Sequence, residues 1–245
     1  MVSIILPTYN EAENIKLIVP KISKLFRDQD IPGEIVVVDD NSPDGTAEVA
    51  HTLSQQYPVR VYVRKDERGL ATAVMKGFEL ARGEICLIMD ADLSHPVEKI
   101  PEMINPIVQG KYEATVGSRY IDGGGSENWS FIRKIASKGS GILALGLTNL
   151  SDPTSGFMAI RKSALEGIKL DPIGWKIVLE VIVKTNSRFK EIPIVFADRK
   201  FGKSKLDLRV QREYLWHLWK LYLYKYPNIF QFVKFLFRRF FRAIG

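Results

Sequence analysis

Residues 34–53 read EIVVVDDNSPDGTAEVAHTL, and this stretch decides the fold. It begins with a run of β-branched apolar residues, becomes acidic and polar at Asp39, and continues with a helical pattern from Thr46. An apolar run of this kind is typical of a strand that is covered on both faces, as in a parallel sheet. The stretch therefore predicts one strand–loop–helix unit of an α/β domain, with polar residues in the connecting loop.

The same order of strand, polar loop and helix recurs throughout residues 1–120. Strands are predicted at Ser3–Leu6, Glu34–Val38, Val59–Val63, Ile85–Met89 and Ala114–Gly117. Helices are predicted at Ala12–Phe26, Thr46–Gln56, Leu70–Ala81 and Val97–Gln109. This alternation predicts an α/β fold with a largely parallel sheet flanked by helices.

Beyond Tyr120 the pattern is mixed. The segment DGGGSEN, residues 122–128, is rich in glycine and is expected to be a mobile loop. The elements predicted next are a helix over Phe131–Leu147, a strand at Met158–Arg161, a helix over Lys176–Lys184 and a strand at Glu191–Phe196. A basic loop over residues 197–206 follows, and then two helices that are separated at Pro227.

The chain of 245 residues has a formal net charge of +7, which is unevenly distributed. From Tyr214 to Gly245 there are six Lys or Arg residues, 12 aromatic residues and no Asp or Glu. The rest of the chain is nearly neutral, so we expect no nucleic acid partner. The single cysteine, Cys86, excludes an internal disulfide and lies in an apolar run, where a buried, unreactive thiol is expected.

Polar residues follow three of the predicted strands, at the strand ends where open α/β sheets bind ligands. The three groups are PTYNE at 7–11, DDNS at 39–42 and DAD at 90–92. Acidic groups at one edge repel one another unless a cation or a ligand lies between them. Helix capping explains each group equally well when it is taken alone. The candidate caps are Asn10 or Glu11 for the first helix and Ser42 or Asp44 for the second.

The DAD segment gives the sharpest signal, because Asp90 and Asp92 directly follow an apolar strand. Carboxylate oxygens suit Mg²⁺ or Mn²⁺, which are often held by one or two carboxylates together with substrate phosphates. Neither a G-x-G-x-x-G nor a Walker A segment is present, which disfavours dinucleotide cofactors and P-loop hydrolysis. Basic residues available to neutralise a diphosphate are Arg119, Arg199, Lys200, Lys203 and Lys205, although the late basic loop also fits a solvated charge run.

Seven segments, in this order along the chain, resemble one known family. They are PTYNEAENI, VVVDDNSPDGT, GLATAVMKGFELARGE, MDADLSHP, GSRY, DPTSGF and KSKL. From about residue 3 to about residue 208 the chain resembles the family 2 glycosyltransferases, and among them the polyprenyl-phosphate sugar transferases of the dolichol-phosphate mannose synthase type. The resemblance implies a GT-A type, Rossmann-like fold. It also implies inverting transfer of mannose from GDP-mannose to dolichyl (polyprenyl) phosphate with Mg²⁺ or Mn²⁺.

The resemblance further implies roles for individual residues. Those expected to bind the nucleotide sugar are Pro7, Tyr9, Glu11, Val38, Asp40, Asp90, Ala91, Asp92, Arg119, Arg199 and Lys205. Of these, the residues expected to act in catalysis are Asp92, Arg119, Arg199 and Lys205. Asp90 and Asp92 would hold the metal, with Ser94 as a weak third ligand where some relatives have glutamine. For His95, a structural hydrogen bond is preferred to metal ligation.

The implied acceptor is a phosphate monoester, whose second pKa of about 6 leaves its oxygen ionised at neutral pH. The reaction therefore needs no general base. Asp152 in SDPTSGF is the candidate if there is one, and turn formation in the same segment is an equally good interpretation.

The end of the chain is expected to contact a membrane. Residues 229–244 place apolar and basic side chains on opposite faces of a helix, as interfacial helices do, although packing on the domain or on a membrane-protein partner is the alternative. Trp216, Trp219, Tyr222 and Tyr226 fit either a headgroup-level belt or a core. These patterns predict a catalytic domain at 1–212 and membrane-associated helices at 213–245, on the cytoplasmic face of a membrane.

No apolar stretch is long and uncharged enough for a membrane-spanning helix, and the first residues lack the basic start of a signal peptide. Some relatives carry transmembrane helices after the catalytic domain, and the sequence is compatible with such a continuation. Three other functions stay open: a UDP-glucose-dependent polyprenyl-phosphate glucosyltransferase, a nucleotidyltransferase that uses the same acidic edge, and a non-catalytic nucleotide-sugar-binding module at a membrane surface.

Overall fold

The structure is a computed structural model that describes residues 1–127, 139, 141–197 and 208–228, with the backbone alone for 208–210. The strands in this part of the chain are β1 (Val2–Thr8), β2 (Gly33–Asp39), β3 (Val59–Val63), β4 (Ile85–Ile88), β5 (Ala114–Ser118), β6 (Gly125–Ser126), β7 (Met158–Arg161), β8 (Phe189–Pro193) and β9 (Val195–Phe196). The helices are α1 (Ala12–Asp28), α2 (Thr46–Leu53), α3 (Leu70–Leu80), α4 (Ile100–Val108), α5 (Ile177–Thr185) and α6 (Leu208–Lys225).

The main sheet has the strand order β3-β2-β1-β4-β7-β5-β8. The pairs β3–β2, β2–β1, β1–β4 and β5–β8 are parallel, which confirms the predicted α/β fold with a largely parallel sheet. β7 is the exception, since it runs antiparallel between β4 and β5. Its amino end therefore lies at the edge where the parallel strands have their carboxyl ends.

Helices cover both faces of this sheet, because successive strand residues point to opposite sides. Ile4 and Leu6 of β1 pack in one cluster with buried residues of α1 and α4. Ile5 points to the other face, where it packs in a second cluster with residues of α3 and α5. Cys86 belongs to that second cluster, and burial raises the pKa of its thiol to about 12. The buried, unreactive cysteine predicted from the sequence is confirmed.

Several predicted elements differ from the observed ones. The helix predicted from Val97 begins with a 3₁₀ turn over Val97–Lys99 and becomes α-helical only at Ile100. The second helix ends at Leu53, not at Gln56. The glycine-rich segment expected to be a loop contributes the short strand β6, which pairs in parallel with β9. The strand predicted over Glu191–Phe196 is two strands, because the chain changes partner at Ile194. The N–H of this residue donates to Ser118 of β5 (3.0 Å), while its carbonyl accepts from Gly125 of β6 (2.9 Å).

Helix α6 packs on α5 through an apolar contact and a buried polar contact. Leu218 and Leu221 are buried in one cluster with Leu179 of α5. Beside them, Nε2 of His217 lies 2.9 Å from a carboxylate oxygen of Glu180. His217 therefore has a structural role at the contact between the two helices. The helix runs across residue 212, and the division of the chain at that residue stays a prediction.

Helix α6 ends at Lys225, two residues before Pro227, as the sequence predicts. The helix expected over 229–244 lies outside the described residues, as does most of the one predicted over Phe131–Leu147. The described end of the latter is not helical as predicted, because residues 143–147 form turns. Among the helices that the structure describes, none is long and apolar enough to cross a bilayer.

Candidate active site

The carboxyl edge of the sheet brings the predicted polar residues together. β1, β2 and β4 are parallel, so Thr8, Asp39 and Ile88 end their strands on the same side of the domain. β5 ends at Ser118 on that side as well, because it is parallel to β4 across the antiparallel β7. The loops that follow these strands therefore share one edge, as the sequence predicts.

Asp39 holds the first two of these loops together. Its side chain is fully buried and accepts hydrogen bonds from the Thr8 hydroxyl (2.9 Å) and from the backbone N–H and hydroxyl of Ser42 (2.8 and 2.6 Å). The Ser42 hydroxyl oxygen in turn accepts the backbone N–H of Asn10 (3.0 Å). Asp39 is thus a structural residue that fixes the relative position of the loops after β1 and β2.

Asp44 caps two helices at once. Its Oδ2 accepts the N–H of Ala12 at the start of α1 (3.1 Å), and its Oδ1 accepts the N–H of Thr46 at the start of α2 (3.1 Å). Burial acts to raise the pKa of Asp44, but these bonds and the Thr46 hydroxyl outweigh it and hold the pKa below its ordinary value. Capping is confirmed for Asp44. Glu11 makes no such bond, and its Oε2 instead accepts the side-chain amide of Asn14 (2.5 Å).

The residues expected to line a nucleotide pocket lie on the loops after β1 and β2. Pro7 and Val38 are direct partners in the sheet and are buried. Tyr9 is 41% exposed, and the Arg68 guanidinium lies 5.1 Å from the centre of its ring. Arg68, in the loop between β3 and α3, was not predicted. An exposed aromatic ring beside a cation is a surface on which a nucleobase can stack.

Asp40 lies at the same edge, but its carboxylate is paired with a cation of the protein. Its Oδ1 accepts from Nε of Arg64 (2.7 Å) and from a second nitrogen of that guanidinium. Its Oδ2 accepts the backbone N–H of Gly69 (2.7 Å). Arg64 also donates to the carbonyl of Gly69 (2.9 Å) and to the Thr72 hydroxyl (2.8 Å). The Asp40–Arg64 ion pair therefore orders the loop before α3, near the residues that are predicted to bind the nucleotide.

Asp90, Ala91 and Asp92 leave β4 toward this edge. The side chain of Asp90 is 25% exposed, whereas Ala91 and Asp92 are buried. Oδ1 of Asp92 accepts the backbone N–H of Ser94 (3.0 Å) and its hydroxyl. Ser94 thus orients the carboxylate of Asp92, and its own ligation of a metal stays a prediction.

His95 is a structural residue of the loop after β4. Its Nδ1 accepts the backbone N–H of Asp90 (2.9 Å), and its ring stacks on Phe157 with 5.1 Å between the ring centres. Burial lowers the pKa of His95, although the charges of Asp90 and Asp92 act against that effect. The hydrogen bond expected for this residue is confirmed, and the ring ties the DAD loop to the segment before β7.

Arg119 forms a buried ion pair with Asp152. Its Nε donates to Oδ2 (2.7 Å), its Nη2 to Oδ1 (2.7 Å), and its backbone N–H to Oδ2 (3.1 Å). Nη2 also donates to the Thr154 hydroxyl (2.7 Å). Burial acts to raise the pKa of Asp152, but the bonds and charge of Arg119 outweigh it and hold the pKa below its ordinary value. Asp152 is therefore a partner of Arg119 within the turn that the sequence predicts.

The turn that contains Asp152 also lies beside the DAD loop. A Cβ atom placed on Gly156 would lie 3.8 Å from both carboxylate oxygens of Asp90. The predicted residues Asp90 and Arg119 thus belong to one site, joined by the residues between Asp152 and Phe157.

Lys176 is a buried cation next to this site that sequence reasoning missed. It is only 5% exposed, and its Nζ lies 3.5 Å from the carbonyl oxygen of Thr154 and 3.5 Å from the centre of the Trp175 ring. Burial lowers the pKa of Lys176 well below its ordinary value, and the charge of Arg119 acts in the same direction. The available signal was a lysine at the start of the apolar run KIVLEVIV.

Two of the predicted catalytic residues, Arg199 and Lys205, lie outside the described residues, so their roles stay predictions. In the part of the chain that the structure does describe, no three His, Cys, Asp or Glu side chains are grouped as a metal site. A cation held by Asp90 and Asp92 could take further ligands from substrate phosphates and from water.

Comparisons with known proteins identify the family of the chain. The sequence profile of the family described as Glycosyl transferase family 2 matches residues 3–169. A dolichol-phosphate mannosyltransferase of Pyrococcus furiosus is 46% identical over 225 residues, which are 90% of this chain and 63% of that protein. The chain thus spans less than two thirds of that relative. A dolichol-phosphate mannosyltransferase of Saccharomyces cerevisiae is 37% identical over 250 residues, covering 95% of this chain and 92% of that protein.

Solved structures share the fold. Glucosyl-3-phosphoglycerate synthase from Mycobacterium tuberculosis, in complex with Mn²⁺, UDP-glucose and phosphoglyceric acid, has a TM-score of 0.68 at 17% identity, with 90% of this chain and 79% of that chain covered. Mannosyl-3-phosphoglycerate synthase from Rubrobacter xylanophilus has a TM-score of 0.66 at 19% identity, covering 94% and 75%. These neighbours confirm the predicted GT-A type fold. The profile match and the similarity to the dolichol-phosphate mannosyltransferases establish that the chain belongs to glycosyl transferase family 2.

Proposed function

We propose that the protein transfers mannose from GDP-mannose to dolichyl or another polyprenyl phosphate, with inversion at the anomeric carbon. One observation carries this proposal. The carboxylates of the DAD loop and the guanidinium of Arg119 meet at one sheet edge, in a chain 46% identical to a dolichol-phosphate mannosyltransferase. An acidic group that can hold a cation and a basic group that can hold phosphate are what transfer between two phosphate-bearing substrates requires.

The residues at the edge fit a divalent cation. Asp90 presents a partly exposed carboxylate, and Asp92 has a carboxylate whose Oδ1 is oriented by Ser94. Such hard oxygen donors suit Mg²⁺ or Mn²⁺, and the donor diphosphate and water would supply the remaining ligands. When bound, the cation would neutralise negative charge on the departing diphosphate.

The basic residues act on the phosphates. Arg119 is kept charged and in one orientation by Asp152, and its guanidinium is proposed to contact a substrate phosphate from this fixed position. Arg199 and Lys205 are proposed to add further positive charge from the basic loop. Preorganised charges of this kind stabilise a transition state without having to reorganise during the reaction.

The transfer needs no general base. An oxygen of the acceptor phosphate, ionised at neutral pH, forms a bond to the anomeric carbon while the bond from that carbon to the diphosphate oxygen breaks. The electron pair leaves with the diphosphate, and no proton has to move. The surroundings of Asp152 support this scheme, since its carboxylate is bound to Arg119 and its pKa lies below the ordinary value.

The nucleoside is proposed to bind beside β1 and β2. Tyr9 offers an exposed ring for stacking, with Pro7 and Val38 as an apolar floor. Glu11 and Asp40 provide acceptors near the base, although Asp40 is already engaged by Arg64. The choice between GDP-mannose and UDP-glucose is therefore left to a direct comparison of donors.

A surface around α6 is proposed to face the cytoplasmic side of a membrane. Trp216 and Trp219 are 56% and 47% exposed, which favours the belt interpretation over the core interpretation. Ile142 and Leu145, also exposed, lie in the segment that contacts the end of α6 through a bond from the Tyr222 hydroxyl to a backbone carbonyl (2.9 Å). Aromatic and aliphatic side chains of this kind partition into the interface of a bilayer.

The proposed membrane surface is tested by changing both tryptophans to alanine, which is expected to reduce sedimentation of the protein with anionic liposomes. Unchanged sedimentation would show that this surface does not bind the membrane.

The central experiment incubates the protein with labelled GDP-mannose or UDP-glucose, dolichyl phosphate and Mg²⁺ or Mn²⁺. We expect a labelled lipid product from GDP-mannose that extracts into chloroform and is absent with EDTA. Product from UDP-glucose alone would assign the alternative donor. The absence of product from both donors would refute the enzyme proposal.

The metal assignment is tested with a matched pair of aspartates. Asp92→Ala should abolish turnover and weaken Mn²⁺ binding in the presence of GDP, measured by electron paramagnetic resonance. Asp122→Ala is the control, because Asp122 is an exposed aspartate outside the acidic pair. Full activity and unchanged Mn²⁺ binding in Asp92→Ala would refute the assignment.

A further inference from the structure

The surroundings of Lys176 disfavour a positive charge on its side chain. It is 5% exposed, it precedes the first residue of α5, and its one hydrogen bond is a 3.5 Å contact from Nζ to the carbonyl of Thr154. Among the described residues, no carboxylate lies within ion-pair distance of Nζ. A helix amino terminus also repels a cation, and burial of an ammonium without a counter-ion is costly.

The contacts that Lys176 makes with aromatic rings compensate only weakly for the burial of its ammonium. The ring centre of Trp175 lies 3.5 Å from Nζ, and the ring centre of Tyr214 on α6 lies 5.4 Å away. Aromatic faces offset part of the charge but do not replace a carboxylate. An apolar side chain of the same length would therefore fit this position at lower free energy, so stability alone does not explain the lysine.

The same position places Lys176 beside the phosphate-binding pair. The Thr154 carbonyl accepts from Lys176, while the Thr154 hydroxyl accepts from Arg119 (2.7 Å) and donates to Asp152 (3.0 Å). Asp152 is the carboxylate that contacts Arg119 in this cluster, and Asp90 also acts on the charge of Arg119. A protonated Lys176 adds a second positive charge beside Arg119, which makes these surroundings more favourable to a bound anion.

We propose that Lys176 is a positioning residue for phosphate, whose ammonium supports the Asp152–Thr154 turn and adds positive charge beside Arg119. The inference rests on the proposed function for the identity of the phosphate-bearing ligands. The lowered pKa agrees with it, because the cost of the buried charge would be offset when a phosphate binds nearby.

The test compares Lys176→Met with Lys184→Met. Lys184 belongs to the same helix, but it pairs with Glu180 (2.6 Å), away from Thr154. Thermal unfolding is measured for each variant without ligand. Binding of geranyl phosphate, and of GDP with Mg²⁺, is measured by calorimetry. The two probes distinguish an acceptor monophosphate from a donor diphosphate.

The two variants should show opposite patterns. Lys176→Met is expected to keep or raise the unfolding temperature while weakening binding of one probe by about tenfold, as for the loss of a unit charge from a partly buried site. Lys184→Met should lower the unfolding temperature and leave binding of both probes unchanged. Unchanged affinity of Lys176→Met for both probes would overturn the proposal.

One mixed result needs a second variant. If Lys176→Met lowers both stability and affinity, Lys176→Arg decides between the roles, since it restores the charge. Recovery of affinity would support the electrostatic role, and no recovery would overturn it. Wild-type binding to neither probe would overturn it as well. These outcomes are separate from turnover: a wild-type protein that binds the probes but transfers no sugar refutes the proposed function alone.

Discussion

Replacing Asp152 with asparagine should strongly destabilise the protein, because it removes the buried carboxylate that is paired with the guanidinium of Arg119. Asp152 is fully buried, and it accepts three hydrogen bonds from Arg119 at 2.7, 2.7 and 3.1 Å. The asparagine retains one acceptor oxygen, so the bonds to the other oxygen are lost and an amide N–H₂ faces those donors. Removal of one partner of a buried ion pair costs about 3–5 kcal/mol.

The measurement is equilibrium unfolding in urea with the calorimetric melting temperature as a second readout. For a chain of this size, a loss of this magnitude lowers the melting temperature by roughly 10 °C. Asp122→Asn is the matched control, since Asp122 is exposed and should change stability by less than about 0.5 kcal/mol.

A double-mutant cycle tests the reason for the loss. Arg119→Met removes the buried positive charge, so adding it to Asp152→Asn should recover part of the stability, with a coupling energy of about 2 kcal/mol. A coupling energy below about 0.5 kcal/mol, or a loss of less than about 1 kcal/mol in the single variant, would show that the pair does not hold the turn as described.

Three further predictions concern the rest of the domain. Burial acts to raise the pKa of Glu180, but bonds from His217, Asp171 and Lys184 outweigh it and hold the pKa below its ordinary value of 4.5. The ionised carboxylate therefore stabilises the folded protein above pH 4.5, and this stabilisation is lost as the pH falls through the lower pKa of the folded state. Glu180→Gln should therefore flatten acid unfolding followed by circular dichroism below pH 4.5; an unchanged acid limb would contradict this. Gly77→Ala should destabilise by about 1–3 kcal/mol in urea, because its methyl would overlap buried Ile5; equal or greater stability would contradict the packing. Cys86 should react with a thiol reagent only upon unfolding, and rapid labelling of the native protein would contradict its burial.

Much of the fold could be predicted because its signals are local. Apolar runs such as EIVVV mark strands that are buried on both faces, and the regular spacing over residues 70–81 marks α3. The position of β7 between β4 and β5 could not be predicted, because strand order depends on pairings between distant parts of the chain. For the same reason the composition of residues 191–196 does not show that the chain changes its pairing partner at Ile194, where one predicted strand becomes two.

The acidic residues of the candidate site could be placed from the sequence, but several of the basic residues around them could not. Asp40 and Asp90 follow apolar strands, and this position alone places them at the carboxyl edge. Arg64 and Lys176 were missed, since their importance depends on contacts with Asp40 and Thr154, from which they are separated by 24 and 22 residues. A charged residue beside an apolar run, as in WKIVL, is the kind of signal that deserves a search for a buried charge.

The sheet consists of two halves, which meet where the antiparallel strand β7 pairs with β4. β3, β2, β1 and β4 come from residues before 89 and carry the acidic loops, whereas β7, β5 and β8 come from residues after 113 and carry Arg119. In the part of the sheet that the structure describes, the halves are joined by four residue pairs between β4 and β7. The acidic half can therefore pair its strands during synthesis before the basic half has emerged, and the site is complete only when this last pairing closes.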